Sequence, residues 1–130
     1  VHRIGAVSNE DLPRWMNACD VFAMPNREIN GDNEGFGMVF IEAAACGKPS
    51  LAGEAGGTGS AVLHEQTGLR VDGTSVETVA IGLIRLLSGK DDAMKIGQCG
   101  WKRVQMEFAW EMVAKKTLAL SRKMTRSNNI

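Results

Sequence analysis

"EGFGMVFIEAAACGKPSLAGEAGG", residues 34–57, decides how the rest of the chain is read. From Gly37 to Cys46 the run is apolar except for one carboxylate, Glu42. Near-complete apolarity over three turns predicts a helix buried on most sides, here over 36–47. Gly47 stands where a left-handed cap ends a helix cheaply, and Pro49 cannot continue one. "PSLAG" (49–53) then reads as a strand and "EAGGTG" (54–59) as a glycine-rich turn. Upstream, "DVFAMP" (20–25) is a short strand stopped by Pro25, and the polar "NREINGDNEG" (26–35) is the loop into the helix. Strand, loop, helix and strand in that order make a βαβ unit, whose two strands lie parallel.

The same alternation extends both ways. "VHRIG" (1–5) reads as the end of a strand, closed by Gly5. "SNEDLPRWMNAC" (8–19) reads as a helix with Ser8 as N-cap and Asp11 three residues on, near the capping-box pattern. Downstream, "SAVLHEQ" (60–66) is a short helix and "GLRVDG" (68–73) another strand. Val76, Val79, Ala80, Leu83, Ile84 and Leu87 then recur at helical spacing up to Gly89. Helices from about 91 to 106 and from about 110 to 124 follow, and the basic tail "SRKMTRSNNI" reads as frayed. The expected fold class is α/β: a Rossmann-like parallel sheet with flanking helices on both faces and a helical C-terminal end.

Composition narrows the function classes. The 130 residues suffice for one modest domain. Fifteen basic residues balance fifteen acidic ones, so no overall field draws the chain to nucleic acid. Lys, Arg, Glu or Gly interrupts every apolar run before the roughly 18 residues of a membrane span. The first ten residues carry no signal-peptide pattern. They also lack an initiator Met and open inside an apparent strand, so the sequence reads as a piece of a longer chain. Cys19, Cys46 and Cys99 are odd in number and far apart, which favours buried thiols over a disulfide framework or a zinc site. Core packing is the default expectation for Trp15, Trp101 and Trp110, and a surface or capping role for His2 and His64. Lys115, Lys116, Arg122, Lys123 and Arg126 make a basic stretch that fits a solvated helix face, or a contact with anionic lipid.

The two glutamates are the candidate chemistry. In open parallel sheets, ligands bind beyond the carboxyl ends of the strands, where loops lead into helix N-termini. A helix starting near Gly37 turns unpaired N–H groups and partial positive charge toward the loop, a site that suits a diphosphate. Gly35 and Gly37 let a ligand approach the backbone. Glu34 offers acceptors to a hydroxyl-rich ligand such as a hexose. Glu42 leans back toward the helix start and can bridge the vicinal hydroxyls of a ribose. Each residue also has a plainer reading. Glu34 fits a solvated loop acid beside Asp32, Glu42 a half-exposed acid or a partner of Lys48, and Arg27 a solvated loop residue or a phosphate contact.

Taken together the pattern resembles the retaining glycosyltransferases of family 4, which have the GT-B architecture of two Rossmann-like domains. Their paired glutamates stand in an E-x7-E spacing, as Glu34 and Glu42 do. The words "DVFAMP", "EGFGMVFIEAAACGKP", "AGG", "TGLRV" and the late "FAW" match in order along nearly the whole chain. The resemblance implies that residues 1–130 are a truncated donor-binding, C-terminal Rossmann-like domain, with the N-terminal acceptor domain absent. Glu34 would be catalytic, contacting the transferred sugar and stabilising its developing charge. Gly35, Phe36, Gly37, Met38 and Val39 would approach sugar and phosphates through their backbone. Glu42 would hold the ribose, and Val7 would lie near the base.

The donor would be a nucleoside diphosphate sugar, bound with no metal and no further cofactor. The hexose, mannose or glucose, would pass to a lipid or polysaccharide acceptor held by the missing domain. "NREINGDNEGFG" resembles mannosyltransferases more than sucrose or starch enzymes. The implied setting is cytoplasmic, at the inner face of the membrane if the parent makes a peripheral membrane contact. Two positions depart from the family pattern: Ser60 replaces a common acidic residue, and Asn26 a common Ser. The late start also removes the Arg and Lys that clamp the diphosphate, so this chain alone is expected not to turn over. The alternative is a non-catalytic nucleotide-sugar-binding or interaction module. A nucleotide-sugar epimerase or dinucleotide oxidoreductase is disfavoured, because no G-x-G-x-x-G follows a strand.

Overall fold

The computed structural model describes residues 1–32 and 35–127. Three short strands, β1 (Phe22–Met24), β2 (Ser50–Gly53) and β3 (Gly68–Val71), form one parallel sheet in the order β1-β2-β3. Phe22 is in register with Ser50 and Ser50 with Gly68. All four residues of β2 are buried, as befits the central strand of a sheet covered on both faces.

Strand alternation splits the core in two. On one face Ala52, Phe22 and Met24 meet Phe40, Ile41 and Ala44 of helix α2 (Met38–Ala45), together with Ala61, Val62 and Val104. On the other, Leu51 and Leu69 meet Leu86 of α4 (Val76–Ser88) and Ala93 and Ile96 of α5 (Lys90–Arg103). α2 ends as its glycine predicts: Gly47 takes φ +69°, Gly47 N–H donates to Ala44 O and Lys48 N–H to Ala43 O, the paired bonds of a Schellman cap. A Cβ on Gly97 would run into the carbonyl of Gly47, so α5 approaches the end of α2 only because residue 97 is glycine.

The chain differs from expectation in several places. Residues 1–7 form no strand; most are exposed and none has a ladder partner among the described residues. α1 (Leu12–Ala18) starts later than expected, although Ser8 Oγ still accepts the Asp11 N–H at 3.2 Å. The helix over 60–66 is instead a single turn, α3 (Thr58–Ala61), after which Leu63 and Thr67 lock a bend through a Leu63 N–H to Thr67 Oγ1 bond of 2.9 Å. α5 stops at Arg103 and passes into a π turn, Val104–Phe108, closed by Ala109 N–H to Val104 O. Ala109 is extended, with ψ 136°, and α6 (Trp110–Ser127) leaves in a new direction.

The tryptophans are not core residues. Trp15, Trp101 and Trp110 are all exposed, the last at 86%, because their helices present those faces outward. Leu118, Leu120 and Met124 of α6 are exposed too. Cys19 and Cys46 are half-buried and Cys99 is exposed, so only the first two approach the expected buried thiols. His64 caps, as expected, by accepting the Arg70 N–H on Nδ1 at 2.9 Å. No described helix is long and apolar enough to cross a membrane.

Candidate donor-binding site

Glycine and asparagine shape the open end of the sheet. Asn26, directly after β1, accepts the Gly53 N–H on Oδ1 at 3.0 Å and donates from Nδ2 to Ala55 O at 2.9 Å. One amide thus ties the loop after β1 to the turn after β2. Asn26 is the position where a Ser was expected, and the longer side chain reaches both groups. The turn itself comes back against the first loop, since a Cβ on Gly57 would overlap the carbonyl of Gly35. The turn after β2 therefore borders the loop that carries Gly35.

α2 opens into that place. Gly37 adopts φ +82° and ψ 57°, a left-handed conformation that a side chain would strain, and it is buried. Gly37 has no side chain with which to cap the helix, and among the described residues the Met38 and Val39 N–H groups have no partner, while Phe40 N–H donates to Gly37 O at 3.0 Å. Gly35 and Met38 are exposed, while Phe36 and Val39 are half-buried against the core. Phe36 lies 5.7 Å from Phe108, centroid to centroid, and the Arg103 guanidinium sits 4.9 Å over the other ring. Arg103 also donates to Ser60 O and Ala61 O, at 2.9 and 3.0 Å. The distant "FAW" word therefore supports the glycine loop from behind.

Glu42 points to a separate cleft. It lines a cleft of about 510 Å³ between α1 and α2, with Asn9, Leu12, Pro13, Met16, Ala45 and Cys46. The residue is half-buried, and among the described residues its carboxylate has no hydrogen-bond or ion-pair partner. Lys48, the partner considered for it, donates instead to Asn17 O at 2.8 Å. A carboxylate that no described residue engages, at the wall of a largely apolar cleft, is open to a ligand that brings hydroxyl donors.

Glu34 lies outside the described residues. Val7 is half-buried in the segment leading to α1, and Arg27 is exposed in the loop after β1. Among the described residues no group of three or more His, Cys, Asp or Glu is gathered as a metal site. Burial pushes the Cys19 thiol above its ordinary range, with Lys48 opposing. Sequence reasoning missed Thr58 and Arg70, which hold the glycine turn from below. Their only signal was a polar residue beside glycine and a charge within a short strand.

The chain is similar to known glycosyltransferases. Over 86% of this chain, and 30% of the relative, it is 42% identical to a GDP-mannose-dependent alpha-(1-6)-phosphatidylinositol monomannoside mannosyltransferase of Mycobacterium tuberculosis. The chain thus spans about 30% of that relative's length. In structure it is similar to a sucrose-phosphate synthase of Thermosynechococcus elongatus, with TM-score 0.80 and 32% identity over 95% of this chain and 30% of that one. It is also similar to Anabaena HepE in complex with UDP, with TM-score 0.75 and 26% identity over 86% of this chain and 30% of that one. The three-stranded parallel sheet and its helices match part of a domain in these GT-B glycosyltransferases. Residues 1–103 match the model of the family described as glycosyl transferases group 1, and the chain belongs to that family.

Proposed function

We propose that this chain forms the donor-binding part of a retaining glycosyltransferase, which moves a hexose from a nucleoside diphosphate sugar to a lipid or polysaccharide acceptor. The observation that carries the reading is Glu42: a half-buried residue at the wall of the α1–α2 cleft whose carboxylate has no partner among the described residues. In this reading Glu42 accepts from the ribose hydroxyls. The diphosphate lies against the first N–H groups of α2, where the helix dipole and open donors favour an anion without calling on a metal ion. Gly35, Gly37 and the 54–57 turn let sugar and phosphate touch backbone. Glu34, by the resemblance of its motif, contacts the sugar and stabilises charge as the donor bond breaks on the face where the acceptor enters.

The donor we propose is GDP-mannose and the acceptor a phosphatidylinositol-linked glycan, by likeness to the mannosyltransferase relative. Structural similarity to a UDP complex makes UDP-glucose the competing donor. Such an acceptor sets the reaction at the cytoplasmic face of a membrane. The test is a titration of this chain with GDP-mannose, UDP-glucose and ADP-glucose, followed by amide chemical shifts, beside Glu42→Ala. The expected result is millimolar binding of one donor, about −4 kcal/mol, with shifts at Gly35–Val39 that disappear in the variant. A folded chain whose 35–39 amides respond to none of the three sinks the donor reading and leaves an interaction module.

A further inference from the structure

Three consecutive carbonyls after β2 each accept from a different side chain. Thr58 Oγ1 donates to Gly53 O at 2.7 Å, Arg70 Nη2 to Glu54 O at 3.2 Å, and Asn26 Nδ2 to Ala55 O at 2.9 Å. The segment so held continues into Gly56, at φ +69°, and Gly57, which meets Gly35. Glycines have the most backbone freedom to lose, so a turn of this composition keeps one shape only when something outside it supplies the restraint. Thr58 is local to the turn, and Asn26 belongs to the neighbouring loop. Arg70 reaches it from β3, and it is the charged donor of the three.

The way Arg70 is placed is costly unless it serves the turn. Its guanidinium lies flat on Gly59: Nη1, Cζ and Nη2 are 3.2, 3.3 and 3.5 Å from where a Cβ would stand. Its Nε is buried without a hydrogen-bond partner among the described residues. A half-buried arginine at the end of a strand can swing to water and recover that bond, so keeping Nε dry needs a compensating role.

We propose that Arg70 is a positioning residue of the donor cleft: it holds the 54–57 turn in the shape that meets Gly35, and thereby fixes the glycine edge on which the transferred sugar and its phosphate rest. This rests on the donor reading above.

The test compares the wild-type chain with Arg70→Leu, Arg70→Lys and Gly59→Ala, using GDP-mannose and UDP-glucose as probes and amide spectra with and without them. Arg70→Leu should perturb the ligand-free amides of Gly35, Gly56 and Gly57 and leave those of β1–β3 dispersed. It should weaken binding of whichever sugar the wild type takes about tenfold, the share of one charge-assisted hydrogen bond. Arg70→Lys keeps a donor to Glu54 O and should recover most of that loss. Gly59→Ala, which pushes the guanidinium aside, should weaken binding in the wild type and add nothing to Arg70→Leu. If the wild type binds and Arg70→Leu binds equally, with Gly56 and Gly57 unmoved, the assignment to Arg70 is wrong while the donor reading stands. Loss of binding together with collapse of the β1–β3 amides in both Arg70 variants makes Arg70 a fold residue and overturns the proposal. A wild type that takes neither probe overturns both readings.

Discussion

Asn26 and Gly53 interlock across the open end of the sheet: the Gly53 N–H donates to Asn26 Oδ1 at 3.0 Å, while the backbone carbonyl of Asn26 fills the space a Gly53 Cβ would need. The two loops are thus joined by one bond and one forced proximity. Gly53→Ala should destabilise the fold by about 3 kcal/mol or more, because the obstacle is backbone and has nowhere to yield. Asn26→Ala, which strands two partly buried partners, should cost about 2 kcal/mol. Urea unfolding midpoints measure both, and the smaller loss belonging to Gly53→Ala would contradict the packing described.

Glu42 should behave in the opposite sense. Since its carboxylate supports nothing among the described residues, Glu42→Leu exchanges a solvent-reached carboxylate for apolar contact in the α1–α2 cleft. The expected change is a gain of about 0.5–1 kcal/mol in stability, alongside the loss of nucleotide-sugar binding. A thermal melt that drops on this substitution would mean that the carboxylate is satisfied within the fold.

Phe108 is held between Phe36 and Arg103. Phe108→Ala should cost about 2–3 kcal/mol, less than for a fully buried ring, and should shift the amides of Gly35 and Gly37 through Phe36. Stability loss with those amides unmoved would separate the "FAW" segment from the site.

Acid weakens specific surface links. The hydrogen bond from Arg85 holds the Glu65 carboxyl below the usual range, and Thr74, donating from Oγ1 and N–H, does the same for Asp72. A depressed folded value means stability that is present above the unfolded value and lost as pH falls through the folded one, here below about pH 4. Both groups are exposed, so the effect is small. Arg85→Ala should make the acid limb of an unfolding-versus-pH curve shallower, and an unchanged limb would remove Arg85 from the account.

Thiol reactivity should follow position. Cys99 is exposed, whereas Cys19 is half-buried, raised in pKa by that burial, and donates from Sγ to Met16 O at 3.2 Å. Iodoacetamide at neutral pH should modify Cys99 on the order of tenfold faster than Cys19, as peptide mass mapping would report. Equal rates would show that the C-terminal end of α1 opens readily.

Most of the sheet and the long helices were legible because their signals are local. The Gly37–Gly47 bracket around an apolar run marks α2, and the helical spacing from Val76 to Leu87 before Gly89 marks α4, although Val76, Ile84 and Leu87 are exposed and Leu86 is the buried side chain. "VHRIG" misled because strand character is only realised beside a pairing strand, and residues 1–5 have none among the described residues. The tryptophans misled for a related reason: helical periodicity says which face is apolar, not whether anything covers it. Gly35 and the 54–57 turn meet at Gly57, whereas Glu42 lines a cleft against α1 that neither Gly35 nor Gly37 borders. The bracing by Asn26, Thr58 and Arg70 could not be read, since it joins residues up to 29 apart through side-chain reach rather than pattern.

The π turn at 104–108 sets a phase. A π turn holds one residue more than an α turn, so it sets where the chain reaches the extended Ala109 and how α6 departs from it. Deleting one residue between Val104 and Phe108 would leave the composition almost unchanged, yet it would swing the aromatic ring away from Phe36 and re-aim α6 in the same stroke. The placement of the outermost helix and the backing of the glycine loop are therefore one inherited quantity, which an insertion or deletion there alters together and a substitution cannot.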